Sequence, residues 1–154
     1  MALDVATVVS MIAQAAQWRE AVADVDGVYH YFLEDGLDLN IQSPDGRTCI
    51  FSADLGSLND ENTVARDDEL TRIGQLIAAT VKTRASVLSL HDGRLELHRS
   101  VYLPAVSERQ IVAHAQEFLN DQAWWKQNLR GETASMASSG FSMSSGWFPG
   151  ELTF

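Results

Sequence analysis

The chain contains one cysteine, Cys49, so no disulfide can form within it, and the composition suits a reducing compartment. No stretch approaches the roughly 18 apolar residues of a membrane-crossing helix, which argues against membrane insertion. The apolar opening MALDVATVVSMIAQAAQ lacks a basic region, and Asp4 stands where a signal peptide would carry Lys or Arg. There is no N-x-[ST] sequon. Bases are scarce in the first half: residues 1–69 hold 14 acids and 3 bases, whereas residues 70–154 hold 7 acids and 8 bases. A formal charge of −10 repels phosphate backbones, which argues against nucleic acid as a partner. The acidic first half provides solubility and also suits a basic partner surface.

Catalytic signatures are missing too. The chain has no GxxxxGK[ST], no GxGxxG after a strand, no HExxH and no CxxC. Of the four histidines, His91 and His98 fall on one hairpin, but its turn sets His91 against Arg94 and His98 against Val87, so they diverge. Structural zinc needs about four converging ligands, and no metal site is expected. Cys49 lies in an apolar strand and reads as a buried structural thiol, with nothing nearby to lower its pKa. Asp35, Asp38 and Asp45 cluster at turns, where turn chemistry accounts for them better than paired acid–base catalysis, and they do not form a calcium loop. An enzyme would require His30 or His114 to meet an acid in a cleft. The reading is therefore non-enzymatic, with no cofactor.

The organising stretch is 28–55, VYHYFLEDGLDLNIQSPDGRTCIFSADL. Val28–Glu34 is β-branched and aromatic, and a two-residue turn is expected at Asp35-Gly36. Leu37–Gln42 alternates, with Leu37, Leu39 and Ile41 on one face. Ser43-Pro44-Asp45-Gly46 reads as a second turn and Arg47–Ala53 as a third strand. A helix precedes this meander over residues 4–17, with Val5, Val8, Val9, Ile12 and Ala16 at helical spacing and Asp4 near its start. The acidic stretch 56–68 reads as a loop. A second helix is expected over about 68–84, where Leu70, Ile73, Ile77 and Val81 recur. Ser86–His91 and Arg94–Arg99 form a hairpin around Asp92-Gly93. The third helix starts at Ser107 with a Ser107/Gln110 capping box and carries Ile111, Ala115, Phe118, Gln122, Trp125 and Leu129 on one stripe.

The expected order is α-βββ-α-ββ-α, an α+β fold with a twisted antiparallel sheet packed by helices. The domain covers residues 1–130. Residues 131–154 are a Ser/Gly-rich tail: ten of its 24 residues are Ser or Gly, and it ends in WFPGELTF. That end is either a solvated terminus or a segment in which Trp147-Phe148 docks on an apolar groove.

Without a catalytic constellation, the informative features are surplus apolar surface and open strand edges. The first helix is greasier than one sheet face requires. The first strand is bulky on both faces, and the second helix can serve a core and an interface together. Core packing is the competing explanation for each.

The chain resembles the class I type III secretion chaperones of the CesT/Tir-chaperone family. The resemblance rests on LEDGLDLNIQSPDGRTCIFSADLGSL (33–58), LTRIGQLIAATV (70–81), SVLSLHDGRLELHRSVYLP (86–104) and FLNDQAWWKQNL (118–129), and covers about residues 3–130. It implies a small cytoplasmic bacterial protein that forms a homodimer through its second helix and a neighbouring strand. Such proteins bind the extended N-terminal segment of a secreted effector, keep it non-globular and deliver it to the export ATPase, without a cofactor. The expected client contacts are Val5, Val8, Met11, Ile12, Tyr29, Tyr31 and Leu33, and the expected dimer residues are Ile73, Leu76, Ile77, Thr80 and Val81. The alternative is a stand-alone small-molecule-binding or regulatory α+β domain, marked by an enclosed pocket with converging polar groups.

Overall fold

The computed structural model describes residues 3–58 and 61–129. The tail 131–154, with its WFPGELTF end, lies outside the described residues. Helix α1 is Val5–Ala16, strand β1 Tyr29–Phe32, β2 Asp38–Gln42 and β3 Thr48–Ser57; helix α2 is Thr63–Thr80, β4 Val87–His91, β5 Arg94–Tyr102 and helix α3 Glu108–Leu129. The strands form one antiparallel sheet in the order β1-β2-β3-β5-β4, so β1 and β4 are its edges. The α+β reading and the element order hold.

Local chemistry sets these boundaries. Asp4 caps α1, its carboxylate accepting from the Thr7 N–H at 2.8 Å, and Gln17 ends the helix in the left-handed region at φ 60°. The β1–β2 connection is not the two-residue turn expected. The Gly36 N–H bonds to the Leu33 carbonyl and the Leu33 N–H to the Leu37 carbonyl, with Gly36 at φ 77°. That is a three-residue loop with its glycine in the bulge position, which frees Asp35 from positive φ. At the next turn Asp45 accepts from the Arg47 and Thr48 N–H groups, and these bonds hold its carboxyl below the usual range. Asp92 and Gly93 both take positive φ, giving the β4–β5 hairpin its two-residue turn. The register sets His91 against Arg94 and His98 against Val87, so the two histidines diverge as expected. The Ser107 N–H bonds to Gln110 and the Gln110 N–H to Ser107, completing the capping box before α3.

Two boundaries differ from expectation. Strand β3 runs on through Ser57, where a loop was expected, because a bulge at Asp54/Gly56 lets it stay paired with β5; Gly56 there has φ 103°. Helix α2 begins at Thr63, five residues earlier than 68, because Asn62 accepts from the Val64 and Ala65 N–H groups. It also ends earlier, at Thr80, leaving Lys82 and Arg84 outside it.

Helices α1 and α3 cover one face of the sheet. Val8, Val9, Ile12, Leu39, Ile41, Phe51, Leu97, Ile111, Phe118 and Leu119 build the core, and Phe51 and Phe118 stack with centroids 6.0 Å apart. Cys49 is fully buried there, and desolvation pushes its thiol to about 12. Gln122 on α3 is also fully buried and donates to Asp38 at 2.8 Å, fixing the helix against the start of β2. Helix α2 stands apart, with Ile73 as its one buried residue.

Candidate binding surfaces

The edge strand β1 has no strand on its outer side among the described residues. Tyr29 and Tyr31 lie opposite Ile41 and Leu39 and share their helix-covered face; His30 and Phe32 point to the open face, where Phe32 is 83% exposed. The segment after α1 folds over this edge. Trp18 packs on Tyr31, and the Tyr31 hydroxyl accepts from the Ala21 N–H at 3.2 Å. On the open face, His30 donates to Asp24 at 2.8 Å and to Asn40 at 2.5 Å. Both ring nitrogens meet oxygen acceptors, so protonation is favoured: the Asp24 hydrogen bond, then that to Asn40, raise the His30 pKa. His30 thus meets an acid, but both side chains are well exposed (41% and 38%) on an open face rather than in a cleft.

Burial divides the residues expected to meet a client. Val8 and Ile12 have no exposed surface and Tyr31 has little; all three belong to the chain's own core. This corrects their expected role. A helical stripe identifies a greasy face but cannot separate its centre, which packs inward, from its flanks. Val5, Met11, Tyr29 and Leu33 are half-buried against the core, as are Trp18 and Ala21, which pack beside Tyr31.

The residues expected at the dimer interface divide similarly. Ile73 is buried, Leu76 and Thr80 are half-buried, and Ile77 and Val81 are 39% and 67% exposed. Leu70 and Val64 add exposed apolar surface to the same helix. At the far sheet edge, Val87 and Leu90 on β4 are also exposed.

The sequence reading missed a polar layer between α3 and the β4–β5 side of the sheet. Arg99 is buried, and donates to Glu117 at 2.7 Å. Arg84 pairs with Asp121 at 3.0 Å and lies over the Trp124 ring, while the Ser86 hydroxyl donates to Asp121 at 2.5 Å. The signal existed: Arg99 continues the inward alternation Leu95, Leu97, Arg99, Val101. Arg84, Arg99, Glu117 and Asp121 line a cleft of about 310 Å³ together with Thr83, Ala85 and Asn120. His114 neighbours it on α3, and its pKa is lowered chiefly by desolvation, with Arg99 adding to the effect. A larger cleft of about 500 Å³ lies between β3, α2 and the end of α3, lined by Leu55, Ile73, Leu95, Leu129, Arg72 and Lys126 among others. No group of His, Cys, Asp or Glu among the described residues could hold a metal ion, and no described helix is long and apolar enough to cross a membrane.

No family model and no curated protein matches the chain. Solved structures do match. A chain of the HopA1–SchA chaperone–effector complex superimposes with a TM-score of 0.56 at 12% identity, over 79% of this chain and 91% of that one. The Yersinia pestis type III secretion chaperone SycH, solved in complex with a stable fragment of YscM2, matches with a TM-score of 0.55 at 10% identity, over 77% and 97%. This chain has the type III secretion chaperone fold. The heterodimeric ExoU–SpcU complex from the type III secretion system of Pseudomonas aeruginosa matches with a TM-score of 0.56 at 15% identity, over 79% and 95%. At these identities the likeness is one of fold.

Proposed function

We propose that the protein is a cytoplasmic type III secretion chaperone. It binds the extended N-terminal segment of a secreted effector, keeps that segment non-globular and secretion-competent, and delivers it to the export ATPase. The observation that carries this reading is the β1 edge, without a strand on its outer side among the described residues and beside half-buried apolar side chains, on a fold shared with structures solved as chaperone–effector complexes. A client strand added to β1 satisfies its backbone on the edge, while alternate side chains enter the flank of Val5, Met11, Trp18, Tyr29 and Leu33. Holding a segment extended costs ordering entropy, which the buried apolar area offsets. No step needs a cofactor or a catalytic group.

The protein works as a homodimer, with Ile77 in the last turn of α2 and Val81 just past its end as the centre of the contact, and Leu76 and Thr80 beside them. Exposed apolar surface on a helix that packs poorly on its own domain supports this arrangement. Affinity capture from the native cytosol, read by mass spectrometry, tests the function: one or a few secreted proteins co-purify. Recovery of a small molecule with no secreted protein contradicts it and favours the stand-alone binding domain.

A further inference from the structure

The geometry points to the chain's own residues 147–154 as an occupant of the β1 edge, a built-in placeholder that a client strand displaces. This inference rests on the reading of β1 as a binding edge.

Helix α3 ends against β3 and α2, at the end of the sheet that carries the β1–β2 turn. Near its end, the Lys126 ammonium donates to the carbonyl of Gly36, in the turn that follows β1, and Gln122 one turn earlier bonds Asp38 at the start of β2. Leu129 therefore lies at the same end of the sheet as the β1–β2 turn, with β2 and β3 between the two. Residues 130–146 are rich in Ser and Gly, and a segment of that length and composition spans roughly 20–25 Å. Strand β1, four residues long, measures only about 13 Å. Reach is no obstacle at any point along the edge.

The segment that follows suits the edge. Pro149-Gly150 is a turn-type dipeptide, and Glu151-Leu152-Thr153-Phe154 alternates polar and apolar over four residues, the length of β1. Added as a strand, it places Leu152 and Phe154 on one face and Glu151 and Thr153 on the other. With Leu152 and Phe154 on the helix-covered side, they extend the half-buried flank of Tyr29, Trp18 and Met11. Glu151 and Thr153 then join the polar open face that carries His30 and Asn40. Trp147-Phe148 adds the aromatic area that a short strand needs to remain docked. Such a placeholder keeps an edge strand from pairing with other chains while no client is present. A client must then exceed the tail's affinity at its high effective concentration, so weakly matching segments are rejected.

The test compares the full chain with a full-length variant carrying Trp147→Ser, Leu152→Ser and Phe154→Ser, by amide hydrogen exchange, with circular dichroism confirming an intact fold. Slower exchange at Tyr29–Phe32 in the unsubstituted chain, by about tenfold or more, is the expected result. A synthetic peptide of residues 145–154 should restore slow exchange in the variant and bind the unsubstituted chain far more weakly. Equal exchange at β1 in both chains overturns the inference, as does protection confined to the cleft of Leu55, Ile73 and Leu95. No client is needed, so failure here leaves the chaperone reading standing, and failure to capture a secreted protein leaves this result standing.

Discussion

The rings of Trp18 and Tyr31 lie 5.0 Å apart between centroids, tilted by 43°. Two residues past the end of α1, Trp18 ties that helix to the outermost strand, and the Tyr31 hydroxyl accepts the Ala21 N–H on the same side. The edge is thus braced by side chains where a further strand is missing. Trp18→Ala is expected to lower stability by about 1–3 kcal/mol through lost ring contact and area. Tyr31→Phe keeps the ring contact and should cost only about 0.5–1.5 kcal/mol. Urea unfolding of the two variants and their double mutant checks both values, with clear coupling expected between the sites.

Two histidines respond to pH in opposite directions. His30 has a raised pKa, so its contribution is complete below the unfolded value near 6.5 and is lost as pH rises through the folded value. The stability difference between the wild type and His30→Gln should therefore be larger at pH 5.5 than at pH 8. His114 has a lowered pKa, so the folded state suffers nothing from it above the unfolded value and loses stability as pH falls below about 6.5. His114→Gln should flatten that acid loss. Denaturant titrations at the two pH values separate the pair.

Ile77 on α2 is exposed, as is Val81 just past its end, so Ile77→Asp should leave the monomer's stability within about 0.5 kcal/mol. The same substitution places a charge at the centre of the proposed dimer contact. Size exclusion with light scattering should show monomers. An intact dimer removes α2 from the interface.

Along α1, burial changes within one turn. Val8 is fully buried, and Val8→Asp forces an unpaired charge into the core at a cost of several kcal/mol, so the domain should unfold. Met11 is half-buried on the flank, and Met11→Asp should fold while losing client affinity. Thermal unfolding and co-purification, read side by side, should show opposite patterns for the two variants.

Much of this was legible in the sequence because strong periodicities and turn residues coincide. The α1 stripe with its Asp4 cap, the Ser107/Gln110 box before α3 and the Asp92-Gly93 hairpin each carry a local signal that the tertiary structure respects. Helix α2 was read less well. Its start depends on one side chain, Asn62, followed by polar residues with no apolar period. Strand β3 was cut short because Gly56 reads as a break, whereas its positive φ sustains a bulge that keeps the strand paired. At the β1 edge, the sequence pattern located the elements but not which of their side chains stay exposed. Val8, Ile12 and Tyr31 share their spacing with Val5, Met11 and Tyr29, and only packing against α3 and β2 determines which of them keep exposed surface. The Arg99–Glu117 and Arg84–Asp121 pairs depend on contacts between distant segments, which no local pattern encodes.

The central claim is that β1 takes the client strand. Hydrogen exchange tests it most directly on the full-length chain carrying Trp147→Ser, Leu152→Ser and Phe154→Ser, with and without a captured effector's N-terminal segment. The account predicts new protection at Tyr29–Phe32 and along the Val5 and Met11 flank of α1. Protection confined to β4 at Val87–His91 or to α2, with β1 unchanged, would contradict it.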